Sequence, residues 1–153
     1  MSVDITAIDA SGIVGFLAAA TRLGEVEFSD VQSLVRGVRA RAGAGSLRRL
    51  NILDHGNPDG IELGRDWITV TSLPIYRLLL GQLSELFVPG GFVHLQHCGA
   101  GQNHGLLCAM SAIIKVPVYA GTGKHNPVYR FNLGRYERCI PSGNCESDVA
   151  RPD

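Results

Sequence analysis

Three short strand-length segments rich in apolar residues constrain this chain more than any other feature. Residues 47–53, 92–97 and 116–120 are each long enough for one buried strand. Each gives way abruptly to polar and glycine-rich sequence: Asp54-His55-Gly56, Cys98-Gly99 and Gly121-Thr122-Gly123. Stretches long enough for a helix lie between them. Residues 73–87 carry Leu79, Leu80, Leu83, Leu86 and Phe87 as an apolar stripe, with Pro74 in the first turn and Pro89-Gly90-Gly91 as a stop. Residues 104–114 read as a second apolar helix, entered through a glycine-rich turn. Strand, helix, strand, helix, strand is the order of a parallel sheet covered on both faces. Right-handed crossovers then bring the carboxyl ends of the strands to one edge.

The flanking sequence fits one domain of 153 residues. Residues 3–8 alternate apolar and polar and predict a short edge strand. Residues 11–23 predict a helix with Ser11 as N-cap. Residues 29–41 predict another: Val31, Leu34, Val35 and Val38 share one face, Ser29 or Asp30 is the cap, and Gly43-Ala44-Gly45 ends it. Asn57-Pro58-Asp59-Gly60 is a turn, and residues 61–63 and 67–70 predict a hairpin around Gly64. Residues 128–131 and 136–139 predict two short strands, and the last residues read as loose. The fold expected is a three-layer α/β/α sandwich with a mostly parallel sheet of four to six strands.

Composition excludes several classes. A hydrophobic fraction of 45% with 18% charged residues supplies a core and argues against disorder. Formal net charge is zero, so no nucleic-acid partner is expected. The local basic run of Arg36, Arg39, Arg41, Arg48 and Arg49 reads as a solvated helix face and strand edge. The apolar stretch 12–20 is too short to cross a bilayer, and Asp4 and Asp9 precede it where a signal peptide is basic. The expected location is cytoplasmic, or exported without an N-terminal signal. Cys139 and Cys145 bracket a Pro-Ser-Gly-Asn turn; a disulfide or half a metal site is open to them, with unpaired thiols the preferred reading.

Function in open α/β sheets gathers outside the carboxyl ends of the strands. Here those ends carry His55 and Cys98. A thiol near pKa 8.5 is mostly protonated at neutral pH, and a neighbouring imidazole raises its thiolate fraction or protonates a leaving amine. The amides of Gly56 and Cys98 are candidates for an oxyanion hole. His97 and Asp54 each sit one residue off the pair and point to the other face. His94 reads as hydrogen-bonded within the sheet, and Cys108 as core. His104 and His125 are loop candidates at the active edge, and Asp59 and Glu62 are candidates for selecting a basic substrate side chain. Gly99-x-Gly101 lacks the third glycine of a dinucleotide turn, and Gly121-Thr-Gly-Lys124 lacks the spacing of a P-loop. No ligand pair stands at zinc spacing. No metal and no cofactor are expected.

An apolar strand ending in His-Gly, followed tens of residues later by one ending in Cys, resembles the caspase-like cysteine peptidases. Leu50-Asn-Ile-Leu-Asp-His55-Gly56 is similar to their histidine block and Phe92-Val-His-Leu-Gln-His-Cys98-Gly99 to their cysteine block. Gln96, Cys98 and Gly99 fall where caspases have Gln-Ala-Cys-x-Gly; His97 and Ala100 depart from that signature. Over residues 47–123 the chain most resembles an uncharacterised bacterial branch of the fold. The resemblance implies hydrolysis of a peptide or protein substrate by a His55–Cys98 dyad. It equally admits a catalytically silent module that binds a partner, or an exported effector using the same dyad.

Overall fold

The computed structural model describes residues 1–10, 25–126 and 131–152. In chain order its elements are β1 (Val3–Asp9), β2 (Val26–Phe28), α1 (Val31–Arg41), β3 (Leu47–Leu53), the small strands β4 (Gly56–Asn57), β5 (Gly60–Leu63) and β6 (Asp66–Ile68), α2 (Arg77–Gly81), β7 (Phe87–Gln96), α3 (His104–Ile114), β8 (Val118–Gly121), β9 (His125–Asn126), β10 (Phe131–Asn132), β11 (Tyr136–Cys139) and β12 (Cys145–Val149). The expected helix at 11–23 lies outside the described residues, as does most of the expected strand at 128–131.

The fold is mixed α/β around a seven-stranded sheet ordered β12-β11-β8-β7-β3-β1-β2. The five strands from β8 to β2 run parallel, and β11 and β12 are antiparallel. One face carries Ile5, Ala7, Leu50, Ile52, Val93, Leu95, Val118 and Ala120, all buried. Against it pack the apolar stripes of α1 (Leu34, Val35, Val38) and α3 (Leu106, Leu107, Met110, Ile114), with α2 between the two helices. The other face buries polar groups: Thr6, Asn51 and His94 are register partners in one row, Gln96 lies two positions on beside Leu53 and Ile8, and Asn51 Nδ2 donates to Thr6 Oγ1 at 3.3 Å. Among the described residues no helix is long and apolar enough to cross a membrane.

Several expectations are corrected. Residues 3–9 form an inner strand between β2 and β3 rather than an edge. Their alternation misled because Thr6 is polar yet buried. The single helix expected at 73–87 is divided into a 3-10 turn at Leu73–Tyr76, the five-residue α2 and a second 3-10 turn at Ser84–Leu86. Its sequence is apolar on two sides, so Ile75 and Leu78 stay exposed, and Gly81 weakens the middle. Pro89-Gly90-Gly91 does not stop a helix but lies inside β7, where the pairing with β3 shifts register. Cys139 and Cys145 are not free thiols: facing each other across the β11–β12 turn, with Cα atoms 4.0 Å apart, they form a disulfide. The chain end is not loose either, since β12 joins the sheet and the Pro152 carbonyl accepts from Arg49 Nη2 at 2.9 Å. The sheet thus has seven strands, more than the four to six expected.

Candidate active site

The last paired residues of β3 and β7 are Leu53 and Gln96. Two residues beyond each stand His55 and Cys98, so the register brings them to the same level on neighbouring strands, whose spacing is about 4.8 Å. The chain then turns across the mouth of β7. A Cβ on Gly56 would lie 2.9 Å from His97 Cβ and 3.1 Å from the Cys98 carbonyl oxygen, so only glycine lets the backbone after His55 come this close.

Cys98 is half-buried and lines an open cleft of about 260 Å³. One wall is Gly56, Asn57 and Pro58 from the turn after β3; the other is Thr122, Gly123 and Lys124 from the turn after β8; Gly99 and Gln102 form the floor. The backbone N–H of His125 donates to Cys98 Sγ at 3.3 Å. Gly99, at φ +69, donates to Gly123 O at 2.9 Å and packs against Pro58, which ties both walls to the cysteine turn.

Three buried side chains hold this geometry. Asp54 Oδ1 accepts the His55 N–H and Oδ2 the Gly64 N–H, each at 2.8 Å. Burial pushes the Asp54 carboxyl up to about 8; the nearby Asp9 charge adds to the rise, while the two N–H donors oppose it. Asp9, Asp54 and Glu62 bring carboxylate oxygens within 4.8 Å of one another. A protonated Asp54 beside Asp9 is the state such crowding favours. His97, fully buried, donates through Nε2 to Glu62 O at 2.9 Å, because a carbonyl can only accept. Burial holds its pKa down to about 3, so the ring is neutral. Since Glu62 N donates to His55 O at 2.9 Å, one short chain of contacts runs from His55 through Glu62 to His97 and on to Cys98. Asn132 is the third: its Oδ1 accepts from Gly123 N and its Nδ2 donates to Gly123 O, both at 2.9 Å.

The expected site residues divide into two groups. Gly56 and Cys98 line the cleft, and His55 is exposed beside it without lining it. Asp59 is exposed behind Pro58; its N–H donates to Asn57 Oδ1 and its carbonyl accepts from Asn103 Nδ2. Glu62 lies with the carboxylate group, away from the cleft. His104 turns toward β11, with Nε2 3.3 Å from Glu137 Oε1. The His125 ring is buried edge-on to His94, and only its amide reaches Cys98. Among the lining residues the charged side chain is Lys124. In the sequence Lys124 stands only in an incomplete P-loop pattern, and Asn132 stands in none, because its role depends on a turn partner nine residues away. The chain matches no protein-family model, and no curated protein matches it in sequence.

Proposed function

We propose that the protein is a cysteine-dependent peptide-bond hydrolase on a caspase-like three-layer α/β/α sandwich, with Cys98 as nucleophile and His55 as its acid–base partner. The observation that carries this reading is the half-buried Cys98 sulfur in an open cleft, at the strand level of His55. Cys98 gives its thiol proton to His55 as its Sγ attacks the substrate carbonyl, and the amides of Gly56 and Cys98 receive the oxyanion. The C–N bond breaks, His55 protonates the departing amine, and a thioester remains. His55 then takes a proton from water, whose oxygen displaces the sulfur, and returns that proton to the released Cys98 thiolate. His55 is solvent-exposed and so free to turn into the cleft when substrate is bound; apo hydrogen bonds of this kind commonly tighten only then. The chemistry needs no cofactor. Lys124 on the wall favours an acidic side chain or a terminal carboxylate in the substrate.

A second reading, a caspase-like module that binds a partner without chemistry, is favoured by the position of His55 outside the cleft lining. Alkylation by iodoacetamide at neutral pH, mapped by mass spectrometry, separates the two. Cys98 is expected to react faster than the other free thiol, Cys108, and His55→Ala to slow it by about tenfold or more. Equal rates at the two thiols, unchanged in His55→Ala, would leave only the binding module.

A further inference from the structure

Three of the four cysteines lie where α3 packs against the β11–β12 hairpin. We propose that Cys108, Cys139 and Cys145 form a thiol–disulfide exchange site, in which the free Cys108 thiol attacks the Cys139–Cys145 disulfide. The proposal is independent of the chemistry at Cys98.

The three sulfurs lie against neighbouring backbone carbonyls of α3 and the hairpin loop. The Cys139 and Cys145 sulfurs lie 3.8 and 3.9 Å from the carbonyl oxygen of His104. That carbonyl is the helical acceptor for the N–H of Cys108, four residues on in α3. The Cys108 side chain turns toward the same hairpin: Sγ is 3.5 Å from the carbonyl of Gly143, at the tip of the loop that the disulfide closes. A Cβ on Gly143 would sit 3.6 Å from that sulfur. The free thiol therefore overhangs the loop whose neck is the disulfide. Burial decides the direction of exchange. Cys139 is fully buried, whereas Cys108 and Cys145 are half-buried. A departing thiolate is best placed where water reaches it, which is Cys145.

In the step, the Cys108 thiolate attacks Cys139 Sγ. The S–S electron pair leaves on Cys145 Sγ, which takes up the proton that Cys108 released. One disulfide and one thiol are present before and after, so neither oxidant nor reductant is consumed. The cross-link moves from within the β11–β12 hairpin to a bridge between α3 and β11. β12 is released from its staple, and Cys145 becomes the reactive thiol.

The test uses the full chain carrying Cys98→Ser, so that the cleft thiol cannot exchange. The oxidised protein is held without added thiol at a pH near ~8.5, the ordinary thiol value, and alkylated with N-ethylmaleimide at intervals. Peptide mapping is expected to show a Cys108–Cys139 bridge with alkylated Cys145, at a rate unchanged by about tenfold dilution, as an intramolecular step requires. Cys108→Ala, checked for native circular dichroism, is expected to abolish alkylation of Cys145. Persistence of the Cys139–Cys145 bridge alone, a Cys108–Cys145 bridge instead, or equal Cys145 alkylation in the Cys108→Ala chain would each overturn the assignment.

Discussion

Asp54 shows how one buried side chain couples the candidate site to stability. Its two oxygens tie the His55 peptide to the turn at Gly64, yet its burial and the neighbouring Asp9 favour the protonated form. The sign follows from linkage. The folded value, about 8, lies above the unfolded value of 3.8. The contribution is therefore complete below pH 3.8 and is lost as pH rises toward 8. Unfolding free energy from urea titrations is expected to fall across this window, at a slope approaching ~1.4 kcal/mol per pH unit. Asp54→Asn keeps one acceptor, removes the titration and should flatten the profile; an unchanged slope would show that another group is responsible. At this scale the sequence marked His55 and Cys98 by their place at strand ends. It could not show that the His125 ring is buried while its amide meets the sulfur, because nothing local in His125-Asn126 records the turn that aims it.

At the scale of elements, the small three-stranded sheet β4-β5-β6 follows His55 directly and holds its backbone at the mouth of β7. It is fastened at Gly64, where the backbone is at φ +66 and a Cβ would lie 2.1 Å from both the carbonyl carbon and oxygen of Ser29. Gly45 has nearly the same φ, +67, but nothing within 4 Å. The comparison separates backbone strain from collision. Gly45→Ala is expected to cost about 1 kcal/mol, and Gly64→Ala clearly more, ~2 kcal/mol or above, with slower alkylation of Cys98 as the small sheet lifts. Equal losses in urea unfolding would mean that the close approach to Ser29 carries no weight. Elements are legible in the sequence where period and burial agree. The strands at 47–53 and 136–139 and the helix at 104–114 lie where the pattern places them. In the segment 73–87, leucines crowd two sides of the helical wheel, and only packing between α1 and α3 decides which of them turn inward.

For the molecule as a whole, the antiparallel pair β11–β12 extends a parallel sheet that would otherwise end at β8. The disulfide closes a short loop, with cysteines six positions apart, so its effect on the unfolded chain is modest. Full reduction with excess dithiothreitol is expected to lower stability by about 2 kcal/mol and the melting temperature by roughly 5 °C, without loss of the fold. Complete unfolding on reduction would show that the hairpin, not the parallel sheet, nucleates the core. Glu137 joins this edge to α3. Burial opposes its charge, but the Asp148 N–H, the Ser147 hydroxyl and the His104 imidazole together outweigh that effect and keep its carboxyl below the usual range.

What the amino-acid order determined alone was the alternation of strand-like segments and helical stripes, and hence a mostly parallel sheet with His55 and Cys98 at one edge. Those features are periodic and local, so they survive without knowledge of neighbours. The tertiary structure alone decided which candidates share a cleft, which histidines are sealed, and which cysteines pair. Each of these depends on contacts between residues far apart in the chain, such as Gly56 against Cys98 or Cys108 over Gly143. No spacing rule encodes such meetings, because they are set by how twisted strands and their turns pack in three dimensions.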